Sequence, residues 1–260
     1  MPSFGVQTFT VRAAQKRDIR EAYLRLIRLE IRTLEVARID FNQKNADTLR
    51  SLVDAHGIEI VSIQVKPKYV FGDRENIVSF CKTVGCTNVV ISMLPFRCIL
   101  GGEAHFWRFV SLLDTTAQWY AERGITLAYH HHNWEYIKLS SGKTRMQVLL
   151  EETKKIKFVH DTYWTARCGI SPEAQIREFG ERLLGVHLRD LTHRRKGLSV
   201  LPVNAAVGDG VIDFAAVLRA GEAVGCTYYV IEQNTKQPYE KIEKSLGVLW
   251  ALDAKIQHKE

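Results

Sequence analysis

Short apolar runs alternate with longer amphipathic segments along the whole chain. Eight runs rich in Val, Ile, Leu, Tyr and Phe have the length and composition of buried strands; they cover residues 4–11, 31–38, 58–65, 88–94, 125–131, 156–162, 183–190 and 228–234. Between them, apolar residues recur every three or four positions, which predicts helices over residues 17–29, 44–56, 73–84, 104–123, 142–153, 172–180, 213–224 and 240–256.

Residues typical of helix ends support this division. Ser171 before Pro172, and Asp213 before an apolar run, are side chains that begin helices. Four glycines stand between a predicted helix and the next predicted strand, where a left-handed residue commonly ends the helix: Gly57, Gly85, Gly124 and Gly225. Eight strand–helix pairs without a change in composition predict an α/β fold, a single-domain (β/α)8 TIM barrel over residues 1–260.

A doubly wound open sheet is the competing arrangement of alternating strands and helices. It normally carries a glycine-rich phosphate loop after an early strand, and the sequence has no such loop there. The barrel is therefore the favoured fold.

Composition narrows the class of protein. The net charge of +7 is compatible with anionic substrates or nucleic acid, but the basic residues are scattered, which is typical of a solvated surface. Five cysteines without a CxxC pair indicate reduced thiols. The N-terminus lacks a signal-peptide pattern and no apolar run is long enough to cross a membrane, so we expect a cytoplasmic protein without a membrane partner.

Polar residues lie at the ends of the predicted strands, where a TIM barrel carries its active site. They are Glu35 on the second strand, Gln64 and Lys66 on the third, His130, His131 and His132 on the fifth, Asp161 on the sixth, His187 and Arg189 on the seventh, and Glu232 and Asn234 on the eighth. Each residue alone is compatible with a structural role. Four consecutive strands nevertheless deliver His, Asp, His and Glu to one rim, which predicts a site for a divalent metal ion.

The three consecutive histidines divide between two faces, because side chains alternate along a strand. His130 and His132 share one face and His131 faces away from it. We interpret the remaining histidines as structural or solvated: His56, His105, His160, His193 and His258.

Several motifs resemble those of a known family. They are FGVQTFTVR at 4–12, AYHHHNWEY at 128–136, DTYW at 161–164, VHLRD at 186–190, VGDGVID at 207–213 and VIEQN at 230–234. In this order they resemble the sugar isomerase/epimerase superfamily, the xylose isomerase-like TIM barrels. The branch they look most like includes inosose dehydratase and keto-glycoside-processing members, and the resemblance covers the whole chain.

The resemblance implies a set of metal ligands. Asp161, His187 and Glu232 match the family's ligands, and His130 takes the fourth position, where the epimerases usually have glutamate. His132 is the second candidate for that position, or else an acid/base group. The implied cofactor is one divalent ion, with Mn²⁺ expected and Co²⁺, Fe²⁺, Mg²⁺ or Zn²⁺ as alternatives. Arg189 stands where lysine is common.

The chemistry implied by the resemblance takes place next to a ketone. A metal-stabilised enediolate follows removal of the α-proton of a keto-sugar, with Glu232 as a base and a second proton-handling group among His132, Glu35, Lys66 and Glu135. This describes a sugar isomerase or epimerase. A glutamate paired with a histidine is equally compatible with a lyase, a dehydratase that eliminates water from a keto-inositol or 3-keto-glycoside.

Residues near these strand ends are candidates for substrate binding. Trp134 and Trp164 can stack on a sugar ring, and Arg189 and Asn234 end the last two strands. Residues 191–212 are expected to form a loop of about 20 residues, far longer than a usual βα connection and typical of a lid or a subunit contact. Its basic stretch, His193, Arg194, Arg195 and Lys196, together with Arg189, is a candidate contact for an anionic group.

Two other classes of protein compete with this interpretation. DNA-repair endonucleases share the barrel, but they need further metal ligands on the third and fourth strands, which here end in Gln64–Lys66 and Ser92–Leu94. We therefore expect no nucleic-acid partner. A non-catalytic sugar-binding barrel, or a partner subunit of a larger enzyme, is the other alternative. The expected partner is a small carbohydrate, with a homo-oligomer or partner subunit left open.

Overall fold

Eight parallel strands close into a barrel in the computed structural model, which describes residues 3–196 and 199–257. The described residues contain ten strands in all: β1 (Phe4–Gln7), β2 (Thr33–Ala37), β3 (Glu59–Val65), β4 (Asn88–Ile91), β5 (Thr126–His130), β6 (Lys157–Asp161), β7 (Leu183–Leu188), β8 (Asp190–Lys196), β9 (Ser199–Ala205) and β10 (Tyr228–Ile231). Strands β1 to β7 follow one another around the barrel and β10 closes it between β7 and β1, whereas β8 and β9 form a separate antiparallel pair. The predicted TIM barrel is confirmed.

Helices surround the barrel. They are α1 (Arg12–Gln15), α2 (Ile19–Arg28), α3 (Gln43–His56), α4 (Pro67–Gly72), α5 (Arg74–Val84), α6 (Phe96–Leu100), α7 (Glu103–Ala121), α8 (Arg145–Glu152), α9 (Thr162–Arg167), α10 (Pro172–Phe179), α11 (Phe214–Ala223) and α12 (Pro238–Gln257). The eight predicted helices correspond to α2, α3, α5, α7, α8, α10, α11 and α12; the short helices α1, α4, α6 and α9 lie at strand ends and were not predicted from the periodicity.

The predicted helix ends are present. The side chains of Ser171 and Asp213 accept hydrogen bonds from backbone N–H groups in the first turns of α10 and α11. Gly57 and Gly85, with φ of 62° and 76°, end α3 and α5 in the left-handed region that only glycine adopts without strain. These local signals therefore bound the helices correctly.

The strands end earlier than the apolar runs predict. The first run extends to residue 11, but β1 ends at Gln7 and Thr8–Val11 forms a 3-10 turn. The side chain of Gln7 accepts a hydrogen bond from the N–H of Phe9, which turns the chain out of the sheet. The last run likewise continues beyond the end of β10 at Ile231. The polar side chains of the rim therefore lie both within the last residues of the strands, as His130, Asp161 and His187 do, and just beyond them, as Arg189 and Glu232 do.

The predicted long loop over residues 191–212 is wrong. Most of it belongs to the antiparallel hairpin of β8 and β9, in which Asp190 pairs with Ala205 and Thr192 with Val203. Arg194 and Arg195 of β8 are exposed, so β8 has no apolar face that periodicity would detect. The hairpin rises from the C-terminal end of β7.

Asp190 anchors the VGDGVID segment beside this hairpin. Its carboxylate accepts hydrogen bonds from the backbone N–H groups of Gly208, Gly210 and Ile212, at 3.0, 2.9 and 3.2 Å. A Cβ at Gly210 would overlap this carboxylate and the carbonyl of Leu191, so only glycine fits. The motif thus fixes the chain that follows β9.

The interior of the barrel below the strand ends is apolar. A cluster of buried residues fills it: Val61, Val90, Ala128, Val159, Leu184, Tyr228 and Val230. A larger apolar core packs the outer faces of the strands against the helices. The five cysteines, all within the described residues, form no disulfide.

Candidate metal centre

Four polar side chains share the inward face at the C-terminal end of the barrel. His130 pairs in register with Val159 on β6, so Asp161, two residues further on, lies on the same face. Asp161 pairs with His187 on β7, and His187 pairs with Val230 on β10, two residues before Glu232. The register alone therefore places His130, Asp161, His187 and Glu232 side by side.

The four side chains converge on one point. Each offers a ligand atom, these atoms lie within 4.8 Å of one another, and all four residues are buried. The ring centroids of His130 and His187 are 4.5 Å apart. Imidazole and carboxylate groups at such distances form the donor set of a divalent transition-metal site.

Each carboxylate is held by one oxygen. Oδ1 of Asp161 accepts a hydrogen bond from the backbone N–H of Trp164 at 3.0 Å, and Oε1 of Glu232 accepts one from Nη1 of Arg189 at 3.3 Å. The other oxygens, Oδ2 of Asp161 and Oε2 of Glu232, are buried and face the histidines: Oδ2 lies 3.7 Å from Nε2 of His130, and Oε2 lies 2.9 Å from Nδ1 of His187.

Each histidine is held in the same way by one nitrogen. Nδ1 of His130 lies 3.3 Å from the carbonyl of Ser92, and Nε2 of His187 lies 2.7 Å from Oε1 of Glu35. Nε2 of His130 and Nδ1 of His187 are buried and turn toward these two oxygens. Among the described residues, none of the four atoms has a hydrogen-bond partner outside this group. Two imidazole nitrogens and two carboxylate oxygens directed at one point fit a bound cation.

Electrostatics supports the same conclusion. Burial raises the pKa of Asp161 and Glu232, but His130 and Arg189 overcome this for Asp161, and His187 and Arg189 for Glu232, so that both pKa values fall, that of Glu232 to about 2. Both are therefore anionic at neutral pH. With Glu35 they make three buried carboxylates beside the cation of Arg189, and a divalent ion that displaces the proton of His187 would balance the two negative charges that remain.

Glu35 supports His187 from behind. Its Oε2 accepts hydrogen bonds from Oγ of Ser62 at 2.5 Å and from the hydroxyl of Tyr228 at 2.9 Å, while Oε1 faces His187. Burial lowers the pKa of His187, but Glu35 and Glu232 outweigh it and raise this pKa to about 10. A Cβ at Gly185 would overlap the Tyr228 ring, so this glycine makes room for the support.

His132 lies beside the four residues, as the alternation predicted. Its ring meets that of His130 edge-on at 4.7 Å and lies 5.3 Å from that of Trp164. The backbone N–H of His132 donates to Oε2 of Glu135 at 2.8 Å, and its Nδ1 has no partner among the described residues. Burial lowers the pKa of His132 to about 3, so the ring is neutral at pH 7.

His131 faces away from the centre, as predicted, and has a role that the sequence did not reveal. Its Nε2 accepts a hydrogen bond from the backbone N–H of Asp161 at 3.1 Å and lies 3.1 Å from Nδ1 of His160. The ring also packs against Phe179. His131 thus fixes the backbone of a candidate ligand from outside the barrel.

The other predicted site residues occupy different surroundings. Lys66 is exposed and precedes α4, and Trp134 is 37% exposed. Glu135 is fully buried and accepts hydrogen bonds from the hydroxyl of Tyr129 and the backbone N–H of His132, which indicates that it holds the chain after β5 in place. Asn234 is exposed and accepts a hydrogen bond from Nη2 of Arg12 at 2.6 Å.

Arg189 and Trp164 form one wall of the site. The guanidinium carbon of Arg189 lies 5.3 Å from the Trp164 ring and 4.6 Å from that of Tyr163, and its Nη1 is 3.7 Å from Oδ2 of Asp161.

Sequence reasoning missed Arg12, Ser62 and Tyr228. The strand alternation offered a signal for Tyr228, which lies four residues before Glu232 on the same face.

Comparisons with known proteins agree with this architecture. The family described as xylose isomerase-like TIM barrel matches residues 25–252. The chain belongs to this family. The inosose dehydratase of Klebsiella pneumoniae is 24% identical over 221 residues, which cover 73% of this chain and 74% of that protein. The resemblance predicted from the motifs is confirmed.

Two solved structures show the same fold. A sugar phosphate isomerase/epimerase from Parabacteroides distasonis superposes with a TM-score of 0.76 at 17% identity, covering 95% of this chain and 93% of the other. The IolI protein with a bound zinc atom superposes with a TM-score of 0.71 at 15% identity, covering 98% and 99%. The relatives named here are a dehydratase and an isomerase/epimerase, and the prediction of an enzyme is confirmed. Within residues 3–196 and 199–257, no helix is long and apolar enough to cross a membrane.

Proposed function

We propose that this chain is a divalent-metal-dependent enzyme that removes a proton next to the ketone of a keto-sugar. The observation that carries the proposal is the set of four buried ligand atoms of His130, Asp161, His187 and Glu232, which converge on one point. These four residues would hold a divalent ion, which would supply Lewis-acid chemistry toward the ketone and stabilise negative charge on its oxygen. Mn²⁺ is the proposed ion, with Zn²⁺ as the alternative that the IolI neighbour supports.

Residues of the chain itself carry out the proton transfers. Glu232 is ionised at neutral pH and is the proposed base. His132 is neutral, and its Nδ1 is available to exchange a proton on a second position of the substrate. Glu35 has both oxygens engaged, so we assign it the positioning of His187 instead of proton transfer. Lys66 is exposed, and we give it no role in the reaction.

Substrate contacts follow from the same geometry. Trp164 and Arg189 border the centre, and their Nε1 and Nε atoms are buried without a partner among the described residues. These donors suit the hydroxyl groups of a sugar, and the indole suits its apolar face. Trp164 is therefore a better candidate for sugar stacking than the more exposed Trp134.

A dehydratase is the second candidate reaction. The two proton-handling groups differ in kind, a carboxylate and an imidazole, whereas epimerisation at one carbon is served best by two equivalent bases. In elimination, Glu232 takes the α-proton, the bond between the β-carbon and its hydroxyl breaks, and the neutral His132 relays that proton from Glu232 to the departing oxygen, so that water leaves and an enone remains. Similarity to inosose dehydratase supports this alternative.

Proton exchange tests both reactions. The Mn²⁺-loaded protein is incubated in D₂O with keto-inositols and 3-keto-glycosides, and NMR follows the proton next to the ketone. We expect that signal to disappear, whereas product formation should be about 10²–10⁴-fold slower in His132→Gln with its metal retained. Ultraviolet absorption of an enone would identify elimination; its absence with exchange would identify isomerisation. Metal binding without exchange on any of these ketones would contradict the proposal.

A further inference from the structure

Two arginines at neighbouring strand ends share one aromatic ring beside the metal centre. The guanidinium carbon of Arg12, just after β1, lies 4.0 Å from the ring centroid of Phe9, and that of Arg38, just after β2, lies 5.3 Å from the same centroid. A guanidinium stacked on a ring keeps the N–H groups of its edge free for an acceptor in its plane.

Arg12 is fixed close to the candidate base. Its Nη1 donates to the carbonyl of Phe9 at 3.1 Å, and its Nη2 donates to Oδ1 of Asn234 at 2.6 Å, two residues after Glu232. These bonds use two of its five N–H groups. The pKa of Arg12 is lowered by burial and by Arg38 and Arg189, whereas Glu232 opposes this shift, so three guanidinium groups surround this side of the centre.

Arg38 has an unusual backbone. Its φ of 61° lies in the left-handed region, which is strained for a residue with a side chain. The side-chain amide of Gln15 donates to the carbonyls of Ala37 and Arg38, at 2.8 and 3.2 Å, and holds the chain in this conformation. The side chain of Arg38 is exposed, so packing in the core does not explain the strained backbone.

Neither arginine has a carboxylate partner. Among the described residues, no Asp or Glu oxygen lies within 4.0 Å of a side-chain nitrogen of Arg12 or Arg38. Both line a cleft of about 1170 Å³ between the chain segments that follow β1 and β2. Its other basic residues are Lys16, Arg17, Arg20 and Lys44, against Asp18, Asp40 and Asp47, so the cleft is net positive.

We propose that Arg12 and Arg38 form a subsite for an anionic substituent of the substrate, a carboxylate or a phosphate. That this anion belongs to the substrate rests on the function proposed above: the ketone lies at the metal centre and the anionic end extends past Asn234 into the cleft. Guanidinium groups suit both anions because they offer paired N–H donors. The subsite makes this enzyme selective for an anionic keto-sugar over a neutral one.

Binding of two simple probes tests the subsite without turnover. Titration calorimetry measures the affinity of the metal-loaded protein for inorganic phosphate and for malonate. We expect Arg12→Gln and Arg38→Gln each to weaken the preferred anion about tenfold, and Arg12→Lys and Arg38→Lys to recover part of the affinity. The control is Arg219→Gln, the same charge change on an exposed residue of α11 outside the cleft, which leaves the affinity unchanged. The preferred probe distinguishes a phosphate from a carboxylate subsite.

A second comparison separates this subsite from the metal centre. His187→Ala without metal should bind the preferred anion within about twofold of the wild type. Loss of anion binding in His187→Ala, with affinity unchanged in both arginine-to-glutamine variants, would place the anion on the metal and overturn the proposal. Equal affinities in the wild type and in the double variant Arg12→Gln/Arg38→Gln would also overturn it. Arginine-dependent binding with no proton exchange on any ketone would instead leave the subsite standing and remove the proposed function.

Discussion

Glu35 on β2 and His187 on β7 are 152 residues apart in sequence, yet Oε1 of Glu35 lies 2.7 Å from Nε2 of His187 across the barrel. A carboxylate in this position fixes the imidazole so that Nδ1 faces the other three candidate ligands. Groups that orient a metal-binding histidine in this way also increase its basicity.

Glu35→Gln is expected to weaken metal binding about 10–100-fold while the barrel stays folded. The amide retains the shape of the carboxylate but loses the charge that holds the tautomer of His187. Competition with a chromophoric chelator measures the affinity. The matched control is Glu59→Gln, a change of an exposed glutamate at the start of β3, which should leave the affinity unchanged. Equal affinities in both variants would argue against a positioning role for Glu35.

Substitutions of His130 and of His132 are expected to affect metal binding and catalysis separately. His130→Ala removes a ligand atom and should lose the bound metal, whereas His132→Ala should retain it and lose product formation. Metal content and the rate of product formation are measured on both variants. Retention of metal in His130→Ala, with loss in His132→Ala, would transfer the ligand role to His132.

Metal uptake is expected to release about one proton near pH 8. The metal-free protein holds a proton on His187, whose pKa is raised to about 10, and the ion competes for Nδ1. Raising the pH removes this competition, so the affinity should increase about tenfold per pH unit and level off near pH 10. Calorimetry in buffers of different ionisation enthalpy counts the protons. In Glu35→Gln the plateau should begin at a lower pH, because the carboxylate that raises this pKa is gone.

Acid is expected to destabilise the metal-free protein through the buried pair His131 and His160. Burial lowers the pKa of both, that of His160 to about 3, so the folded state keeps them neutral while the unfolded chain takes up protons below its pKa of 6.5. This stability is present above pH 6.5 and is lost as the pH falls toward 3.

The pair is tested by urea unfolding between about pH 5 and 6.5, above the range in which carboxylates titrate. His160→Asn should reduce the pH slope of the free energy of unfolding by about 1.4 kcal/mol per pH unit, the value for one proton. His56→Asn, on the last turn of α3, serves as the control. An unchanged slope in His160→Asn would show that His160 titrates alike in both states.

Local patterns predicted most of the fold and part of the site. The eight apolar runs predicted the barrel strands, and the two-residue period separated His130 and His132 from His131. The hairpin of β8 and β9 was missed because exposed polar residues such as Arg194 and Arg195 give no apolar periodicity.

The sequence did not predict the contacts between side chains on distant strands. The contact of Glu35 with His187 depends on how β2 faces β7 across the closed barrel, and nothing in either segment encodes it. The hydrogen bond from Arg12 to Asn234 joins residues 222 positions apart in the same way. Glu35 was therefore placed at the rim as a candidate acid or base, whereas the structure buries it behind a ligand.

Elemental analysis of the protein purified without added metal tests the central claim most directly. It is run beside His187→Ala and Glu232→Ala, with His105→Ala, a change on α7 outside the centre, as the control. The account predicts about one equivalent of Mn, Co, Fe or Zn in the wild type and the control, and none in the two variants. A wild-type protein that holds no metal and takes none up on reconstitution would contradict it.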